Sequence, residues 1–126
     1  MKYIQTDKAP SAIGPYSQAI SVNTMVYTSG QIALKPDGSD ELLSKDVSTQ
    51  AHQVLENLEA VLKASGSGMD LVIKTTIFLA DMDDFAVVNE IYEKAFGSHK
   101  PARSTVAVKT LPKNALVEID AVALLH

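Results

Sequence analysis

The chain has 126 residues, with 11 Lys and Arg against 15 Asp and Glu, so its formal net charge is −4, and it contains no Cys. This length is typical of one domain, spanning residues 1–126, and the lack of cysteine excludes a thiol nucleophile, an iron–sulfur cluster and a cysteine zinc site. The acidic balance, with basic residues scattered, disfavours nucleic acid as the main partner, because duplex binding draws much of its affinity from neutralised phosphates.

The hydropathy pattern shows neither a membrane span nor a secretory signal. Apolar runs are far shorter than the roughly 20 residues that cross a bilayer. No apolar run follows the first lysine, as a signal peptide would require. We therefore predict a cytoplasmic protein with no membrane partner. The three histidines, His52, His99 and His126, lie too far apart to form a local metal pair.

Three short strands are predicted in the first part of the chain, over residues 3–6, 17–22 and 26–33. The first helix is predicted over residues 46–65, capped by Ser44 or Asp46 and stopped by Gly66. Its apolar stripe follows the i, i+4, i+7, i+8 spacing of one helix face. The stripe consists of Val47, Ala51, Val54, Leu55, Leu58, Val61 and Leu62.

A buried strand over residues 71–80 and a second helix over residues 84–96 follow. The strand is rich in β-branched and aromatic residues, and the helix shares one apolar face and ends at Gly97. That face consists of Phe85, Val88, Ile91, Tyr92, Ala95 and Phe96.

Three acidic residues, Asp81, Asp83 and Asp84, precede the second helix. They are open to interpretation as a cation site or as a helix cap formed by Asp81 or Asp83. Capping is favoured, because carboxylates just before a helix stabilise its exposed N–H groups and its dipole.

Two further strands are predicted over residues 105–111 and 116–125. The resulting order, β-β-β-α-β-α-β-β, implies an α+β fold in which two helices cover one face of a mixed six-stranded sheet.

The last strand has two different faces. One is wholly apolar and suits packing under the helices. The other face mixes two carboxylates with apolar residues: Leu116, Glu118, Asp120, Val122 and Leu124. This mixture is too apolar for open solvent, and further subunits are its simplest cover. We therefore predict an obligate oligomer with Glu118 at or near a subunit boundary.

Residues 14–18, 28–31 and 101–105 stand out by residue type. They can be explained as a turn entering a strand, a glycine-containing strand end and a proline-initiated strand with a surface arginine. Alternatively, Arg103 beside the segment of Gly30 and an inward Glu118 would make an anion site. A guanidinium matches a carboxylate bidentately, and glycine lets a ligand approach the backbone.

At these residues the sequence resembles the RidA/YjgF family of imine and enamine deaminases, over essentially the whole chain. The matching stretches are Ala9-Pro10, Ala12-Ile13-Gly14-Pro15-Tyr16-Ser17-Gln18, Thr28-Ser29-Gly30-Gln31-Ile32, Gln50-Ala51, Asn57-Leu58, Lys74-Thr75-Thr76, Asp84-Phe85-Ala86, Val88-Asn89, Pro101-Ala102-Arg103-Ser104, Leu111-Pro112-Lys113 and Val117-Glu118-Ile119. Each piece is weak alone, but their order and spacing are specific.

The resemblance implies a chorismate-mutase-like fold assembled as a homotrimer, with inward-facing sheets and active sites between subunits. It implies hydrolysis of 2-imino acids, such as 2-iminobutanoate and 2-iminopropanoate, and of their enamines, to 2-oxo acids and ammonia. These intermediates come from pyridoxal-phosphate enzymes, and the family itself uses no cofactor and no metal.

The resemblance also implies roles for single residues. Arg103 is the carboxylate-binding arginine, and Glu118 is the glutamate that positions and activates the hydrolytic water. Tyr16, Ser29 and Asn89 are pocket residues that order substrate or water. Backbone groups near Gly30 and Thr105 face the imine.

The chain departs from the family pattern at two places. Thr105 stands where many relatives have cysteine, and the loop over residues 97–100 is shorter than in some members, which bears on substrate breadth. The alternative function is a non-catalytic metabolite-binding regulator, or a chaperone-like or translation-inhibiting, RNA-cleaving protein. An Arg103–Glu118 surface salt bridge is the structural alternative to catalysis.

Overall fold

A computed structural model describes residues 1–126 and contains one mixed six-stranded sheet and two α-helices. The elements are β1 (Lys2–Ile4), β2 (Ala19–Val22), β3 (Met25–Thr28), α1 (Val47–Ala64), β4 (Val72–Leu79), α2 (Phe85–Phe96), β5 (Ala102–Ala107) and β6 (Val117–Leu124). The strand order is β1-β2-β3-β6-β4-β5. Only β4 and β5 are parallel, and α2 forms the crossover between them. The predicted α+β class with a mixed sheet is confirmed.

Both predicted helices are confirmed, and their ends have local causes. Asp46 is the N-cap of α1, since its carboxylate accepts a hydrogen bond from the Thr49 amide at 2.9 Å. At the other end Gly66 has φ +84°, and the amides of Gly66 and Ser67 bond back to Lys63 and Leu62. This is the glycine-dependent helix stop that the sequence predicts.

Of the three acidic residues before α2, one acts in capping. Asp81 accepts a hydrogen bond from the Asp83 amide at 2.9 Å and so caps the short 3-10 turn that leads into α2. Asp83 itself caps nothing, and no group of three His, Asp or Glu side chains in the molecule has metal-binding geometry. Gly97, at φ +64°, ends the helix.

The sheet has two distinct faces. The face that both helices cover, the helix face, carries the core: Val26, Val72, Thr75, Ile77, Leu79, Val117, Ile119, Ala121 and Ala123 are all buried. The opposite face, the open face, carries residues that alternate with these along each strand. Its apolar members include Tyr27, Val106 and Leu124, of which Tyr27 is 47% exposed. The alternation predicted for β6 is therefore confirmed.

Two strand predictions have wrong boundaries. The strand predicted over residues 26–33 ends at Thr28, and beyond it only Gln31 forms an isolated bridge, to Ile119. The strand predicted over residues 105–111 lies earlier, at Ala102–Ala107, because parallel pairing with β4 determines its extent. Arg103 therefore lies within a strand, at an edge of the sheet. Neither α-helix combines the length and the hydropathy that a membrane span requires.

Candidate active site

The residues predicted to form a site fall into two separate groups. The first contains the predicted Asn89 and Arg103. With Phe85 and Tyr92, which the sequence did not assign to the site, they form the arginine cluster, from α2 and β5. The second, the glutamate cleft, lies on the other side of the sheet. Its predicted residues are Tyr16, Ser29, Gly30 and Glu118, which all line one cleft of about 470 Å³.

The arginine cluster places Arg103 against three side chains of α2. Arg103 pairs in register with Thr75, so its side chain lies on the helix face. Its Nη1 donates a hydrogen bond to Asn89 Oδ1 at 2.7 Å. The guanidinium carbon lies 4.9 Å from the ring centre of Tyr92 and 5.6 Å from that of Phe85. The arginine is thus oriented before any ligand binds.

Tyr92 is itself firmly held. Its hydroxyl and the hydroxyl of Thr75, which is completely buried, lie 2.7 Å apart and share a hydrogen bond. Its ring packs on that of Phe96, with centres 4.6 Å apart. Burial raises the pKa of Tyr92, against the opposing effects of the Thr75 hydrogen bond and the Arg103 charge. Tyr92 therefore presents a neutral ring to the guanidinium.

In the glutamate cleft, Glu118 lies directly against the backbone of Gly30. A Cβ at residue 30 would lie 2.7 Å from Glu118 Cδ and closer still to Oε2. Gly30 follows β3 at the point where the chain turns towards β6, where Gln31 and Ile119 exchange backbone hydrogen bonds. Glycine is therefore required here by space, since a side chain would occupy the position of the carboxylate.

The Glu118 carboxylate is partly desolvated. Burial raises its pKa above the ordinary range, and the like charge of Asp120, two residues along the same face, raises it further. A carboxyl group with a raised pKa holds and releases a proton closer to neutral pH than an exposed one does. Such a group suits proton exchange with a water molecule.

The loops of the cleft are held by buried amide side chains. Gln18 donates to the carbonyl of Pro10 at 2.7 Å and accepts from the Thr6 amide at 2.7 Å. Asn57, completely buried in α1, donates to the carbonyls of Ile32 and Leu34 at 3.2 and 2.8 Å. The sequence assigned no role to these amides. For Asn57 the signal was a polar residue on an otherwise apolar helix face, whereas Gln18 lies in the loop before β2 and gave no such signal.

Another part of the cleft rim has unusual backbone geometry. Lys113 and Asn114 are consecutive non-glycine residues at φ +55° and +56°, in the turn before β6. Left-handed conformations of such residues are uncommon and cost energy. Lys113 lines the same cleft as Glu118. The residue types around Lys113 do not predict a left-handed turn. The family resemblance includes Lys113 in a matching stretch but gives it no role, so sequence reasoning did not place it in the site.

The remaining predicted residues contribute less directly. Ser29 Oγ donates to the Ser17 carbonyl at 2.6 Å, which leaves its lone pairs free for a water or ligand. Tyr16 is 54% exposed at the cleft mouth.

The Thr105 hydroxyl is buried with no hydrogen-bond partner, on the helix face beside Arg103. His99 bonds the Val72 carbonyl at 2.6 Å and so has a structural role.

Within one chain, the two groups do not meet. Arg103 pairs with Thr75, which faces the helices, whereas Glu118 pairs with Phe78, which lies on the open face. Two strand spacings of about 4.8 Å and three residues at about 3.3 Å place the Arg103 and Glu118 Cα atoms roughly 14 Å apart. They form no ion pair within the chain, so neither the anion site between them nor the surface salt bridge exists in one copy.

The fold and these two groups define a class: an α+β protein with an oriented guanidinium and a desolvated carboxyl on opposite faces of a mixed sheet. Comparison with known proteins identifies that class. The family model described as Endoribonuclease L-PSP matches residues 6–125. The chain therefore belongs to this family, that of the RutC and RidA/YjgF proteins, as the resemblance predicts.

Three relatives illustrate the similarity. A RutC family protein from Synechocystis is 53% identical over 126 residues, 99% of this chain and 97% of that protein. The human protein named 2-iminobutanoate/2-iminopropanoate deaminase is 49% identical over 123 residues, which are 98% of this chain and 89% of that protein. The crystal structure of TdcF from Escherichia coli with bound serine has a TM-score of 0.93 at 42% identity and covers 100% of both chains.

Proposed function

We propose that the chain hydrolyses 2-imino acids and their enamine tautomers to 2-oxo acids and ammonia, in an active site shared between two copies within a homotrimer. Arg103 of one copy binds the substrate carboxylate, and Glu118 of the next positions the water. The relatives named deaminases support the reaction class. The separation of Arg103 from Glu118 is the observation that carries the shared site.

The argument for a shared site is one of size. A short 2-imino acid extends only a few ångströms from its carboxylate to its imine carbon, whereas the two groups stand roughly 14 Å apart on opposite faces. A second copy can bring its own glutamate cleft to the arginine cluster of the first. Such head-to-tail contacts use two different surfaces of each copy and close into a ring.

The open face supports association of copies. Tyr27, Val106 and Leu124 are 47%, 43% and 39% exposed there, beside the half-buried Glu118 and Asp120. An apolar surface of this kind on one face of a sheet is typical of a protein interface. Covering it with further copies would also desolvate Glu118 more completely, which strengthens electrostatic interactions in the site.

In the proposed reaction, the guanidinium fork of Arg103 binds the carboxylate of the protonated imino acid. Glu118 accepts a proton from a water molecule as the water oxygen attacks the imine carbon, and a carbinolamine results. Glu118 then gives that proton to the carbinolamine nitrogen, and the carbon–nitrogen bond breaks. The hydroxyl proton passes to the departing ammonia as the carbonyl forms, so the 2-oxo acid and ammonium leave. Water is the only co-reactant, and no electrons are gained or lost.

This small set of groups suffices because the substrate is already reactive. An iminium carbon is strongly electrophilic and hydrolyses unaided, so the site supplies only part of the 8–23 kcal/mol by which enzymes typically lower barriers. Holding the carboxylate and aiming one water contribute through orientation. A positioned general base adds about 10²–10⁴-fold.

The direct test uses a threonine dehydratase to generate 2-iminobutanoate in place, and follows 2-oxobutanoate under conditions where imine hydrolysis limits the rate. We expect the wild-type chain to accelerate hydrolysis and Arg103→Ala to lose most of that acceleration, about 10²-fold or more, since the oriented carboxylate contact is gone. Lys109→Ala, an exposed cation on the same segment, is the matched control and should retain full activity.

Three results would contradict parts of the proposal. A wild-type rate equal to that in buffer would exclude the deaminase function, and RNA cleavage by the same preparation would then favour the alternative that the family description indicates. An Arg103→Ala rate equal to wild type would exclude the role of the arginine. A monomer in sedimentation at micromolar concentration would exclude the shared site.

A further inference from the structure

We propose that Tyr92 is a positioning residue for Arg103: with Phe85, its ring clamps the guanidinium so that the free N–H groups of the arginine point at the substrate carboxylate. The kinetic part of this proposal rests on the proposed deaminase function. Its structural part concerns the chain alone and is testable without catalysis.

The clamp consists of two rings and one amide. The guanidinium carbon lies within 6 Å of the ring centres of both Tyr92 and Phe85, the range of a cation–π interaction. Asn89 accepts one N–H of Nη1. A guanidinium has five N–H donors in one plane, so these contacts leave donors on its edge for a carboxylate.

Arg103 needs such support because of its place in the sheet. It lies on β5, an outer strand with a neighbour on one side only, and its side chain is partly exposed. A free arginine side chain loses rotamer entropy when a ligand immobilises it. A clamp that orders the side chain in advance removes part of this cost from binding.

The clamp is closed by Thr75. Thr75 pairs with Arg103 through the backbone of the parallel strands, and its hydroxyl bonds the Tyr92 hydroxyl. The Tyr92 ring in turn contacts the guanidinium, so the three residues hold one another. Thr75 is completely buried on a central strand. The network therefore holds Arg103, on the edge strand, against a fixed residue of the core.

Core packing alone does not explain this arrangement. A tyrosine used only to fill space would be replaceable by leucine with a loss of stability and no change at Arg103. A positioning role requires the ring and predicts a change in carboxylate affinity. The two roles therefore differ in what Tyr92→Leu does to binding, relative to what it does to folding.

Arg103 is the only arginine in the sequence, which makes the clamp directly observable. Protein labelled with ¹⁵N-arginine gives a single side-chain Nε resonance. We expect it to show a ring-current shift and slow guanidinium rotation in the wild type, and to lose both in Tyr92→Leu. Tyr92→Phe combined with Thr75→Val keeps the ring and removes both hydroxyls, so it should retain the ring-current shift while the guanidinium rotates faster.

Binding and kinetics complete the test. Calorimetry with 2-oxobutanoate should give a dissociation constant about ten-fold weaker for Tyr92→Leu, corresponding to the loss of one desolvated cation–π contact. KM for the imino acid should rise by a similar factor with kcat nearly unchanged. Val61→Ala, a buried change on the other helix, α1, controls for lost stability and should leave affinity unchanged.

Several outcomes would overturn the proposal. One is an unchanged resonance and affinity in Tyr92→Leu, and another is an equal loss of affinity in Val61→Ala. If Tyr92→Leu does not fold, Phe85→Leu, at a partly exposed position, replaces it, and an unchanged Nε resonance there would equally overturn the clamp. If the wild type fails to accelerate imine hydrolysis but shows the shifted resonance, the proposed function is wrong and the clamp stands.

Discussion

The arginine cluster and the glutamate cleft are built in different ways. Every side chain of the arginine cluster comes from α2 and the strand that follows it, within a stretch of 19 residues from Phe85 to Arg103. The glutamate cleft draws its predicted residues from positions between Tyr16 and Glu118, most of the length of the chain. The cluster is thus a local unit, and the cleft depends on distant loops.

This difference explains where the buried amides lie. Gln18 and Asn57 hold the loops of the cleft, because those segments have few ladder hydrogen bonds of their own. The arginine cluster needs no such ties, since a helix and a paired strand already hold its backbone. The side-chain contacts of the arginine cluster orient one functional group, the guanidinium. Those of Gln18 and Asn57 hold the loops that form the cleft wall.

The strongest test of the comparison mixes two inactive variants. Arg103→Ala supplies an intact cleft and Glu118→Gln an intact cluster, so hybrids assembled from both chains should recover activity. If the site is shared, random assembly of a cyclic trimer gives about one quarter of the sites both an intact Arg103 and an intact Glu118. If each site lay within one chain, no site would have both. Co-expression with two purification tags, followed by the imine assay, measures the recovery.

A matched control places both substitutions in one chain and mixes it with wild type. Shared sites then retain about one quarter of full activity, and sites within one chain about one half. A value near one half would contradict the arrangement of Arg103 and Glu118 in different copies.

Gly30→Ala should damage the cleft and leave the arginine cluster intact. The added methyl collides with the Glu118 carboxyl group and displaces it, so we expect a loss of about 10²-fold in kcat, since misplacing a catalytic group by about 1 Å has this effect. Carboxylate binding at Arg103 should change little by comparison. Steady-state kinetics and calorimetry with 2-oxobutanoate separate the two quantities.

Gly38→Ala is the control for that experiment. Nothing lies within 4 Å of its added methyl, but its φ of +91° strains any other residue. It should lower stability by about 1 kcal/mol and leave kcat unchanged. Equal kinetic effects of the two substitutions would contradict the steric role of Gly30.

Asn57→Leu tests the ties of the cleft wall. It leaves the buried carbonyls of Ile32 and Leu34 without their donors, so we expect the free energy of unfolding to fall by about 2–3 kcal/mol. Urea titration measures the loss. Gln53→Ala removes only the bond to Asn57 Oδ1 and should cost less than about 1 kcal/mol. Comparable losses would show that the carbonyl bonds do not hold the wall.

The smallest expected effect is a pH dependence at Glu118. Because its pKa is raised in the folded chain, the native state binds the proton more tightly than the unfolded state does. Stability therefore falls as the pH rises from the ordinary glutamate pKa through the raised value. Glu118→Gln should flatten this slope and stabilise the chain at neutral pH by less than about 1 kcal/mol, since the group is half exposed.

Asp120→Asn sharpens the same comparison. Removing the neighbouring charge should lower the pKa of Glu118 and shift the acidic limb of the kcat profile to lower pH. Thermal melts and rate profiles across pH 4–8 measure both variants. An unshifted profile would mean that Asp120 does not act on Glu118.

Much of the fold was predictable, for identifiable reasons. The two helices have periodic apolar faces, capping carboxylates and terminal glycines, all of which act within a few residues. The alternation of β6 was equally clear. Strand ends were less predictable. β3 ends at Thr28, just before Gly30 lies against Glu118, and β5 begins at Ala102, where its pairing with β4 begins.

The site was predictable in its components and not in its geometry. The motifs predicted Arg103 and Glu118 as site residues and, through the family resemblance, a site between subunits. They did not predict that the two side chains lie on opposite faces of the sheet. Which face a side chain takes depends on strand register, and register depends on partners that are distant in sequence. The contacts of Tyr92 with Arg103 and Thr75 were not predicted, for the same reason.

The sequence by itself determined the elements, their caps, the apolar faces and the family, because these depend on short-range periodicity and on residue types in a specific order. Only the tertiary structure decided that the arginine and the glutamate point to opposite sides of the sheet. Parallel pairing of β4 with β5 and antiparallel pairing of β4 with β6 set this orientation, and those pairings arise from packing across the whole core.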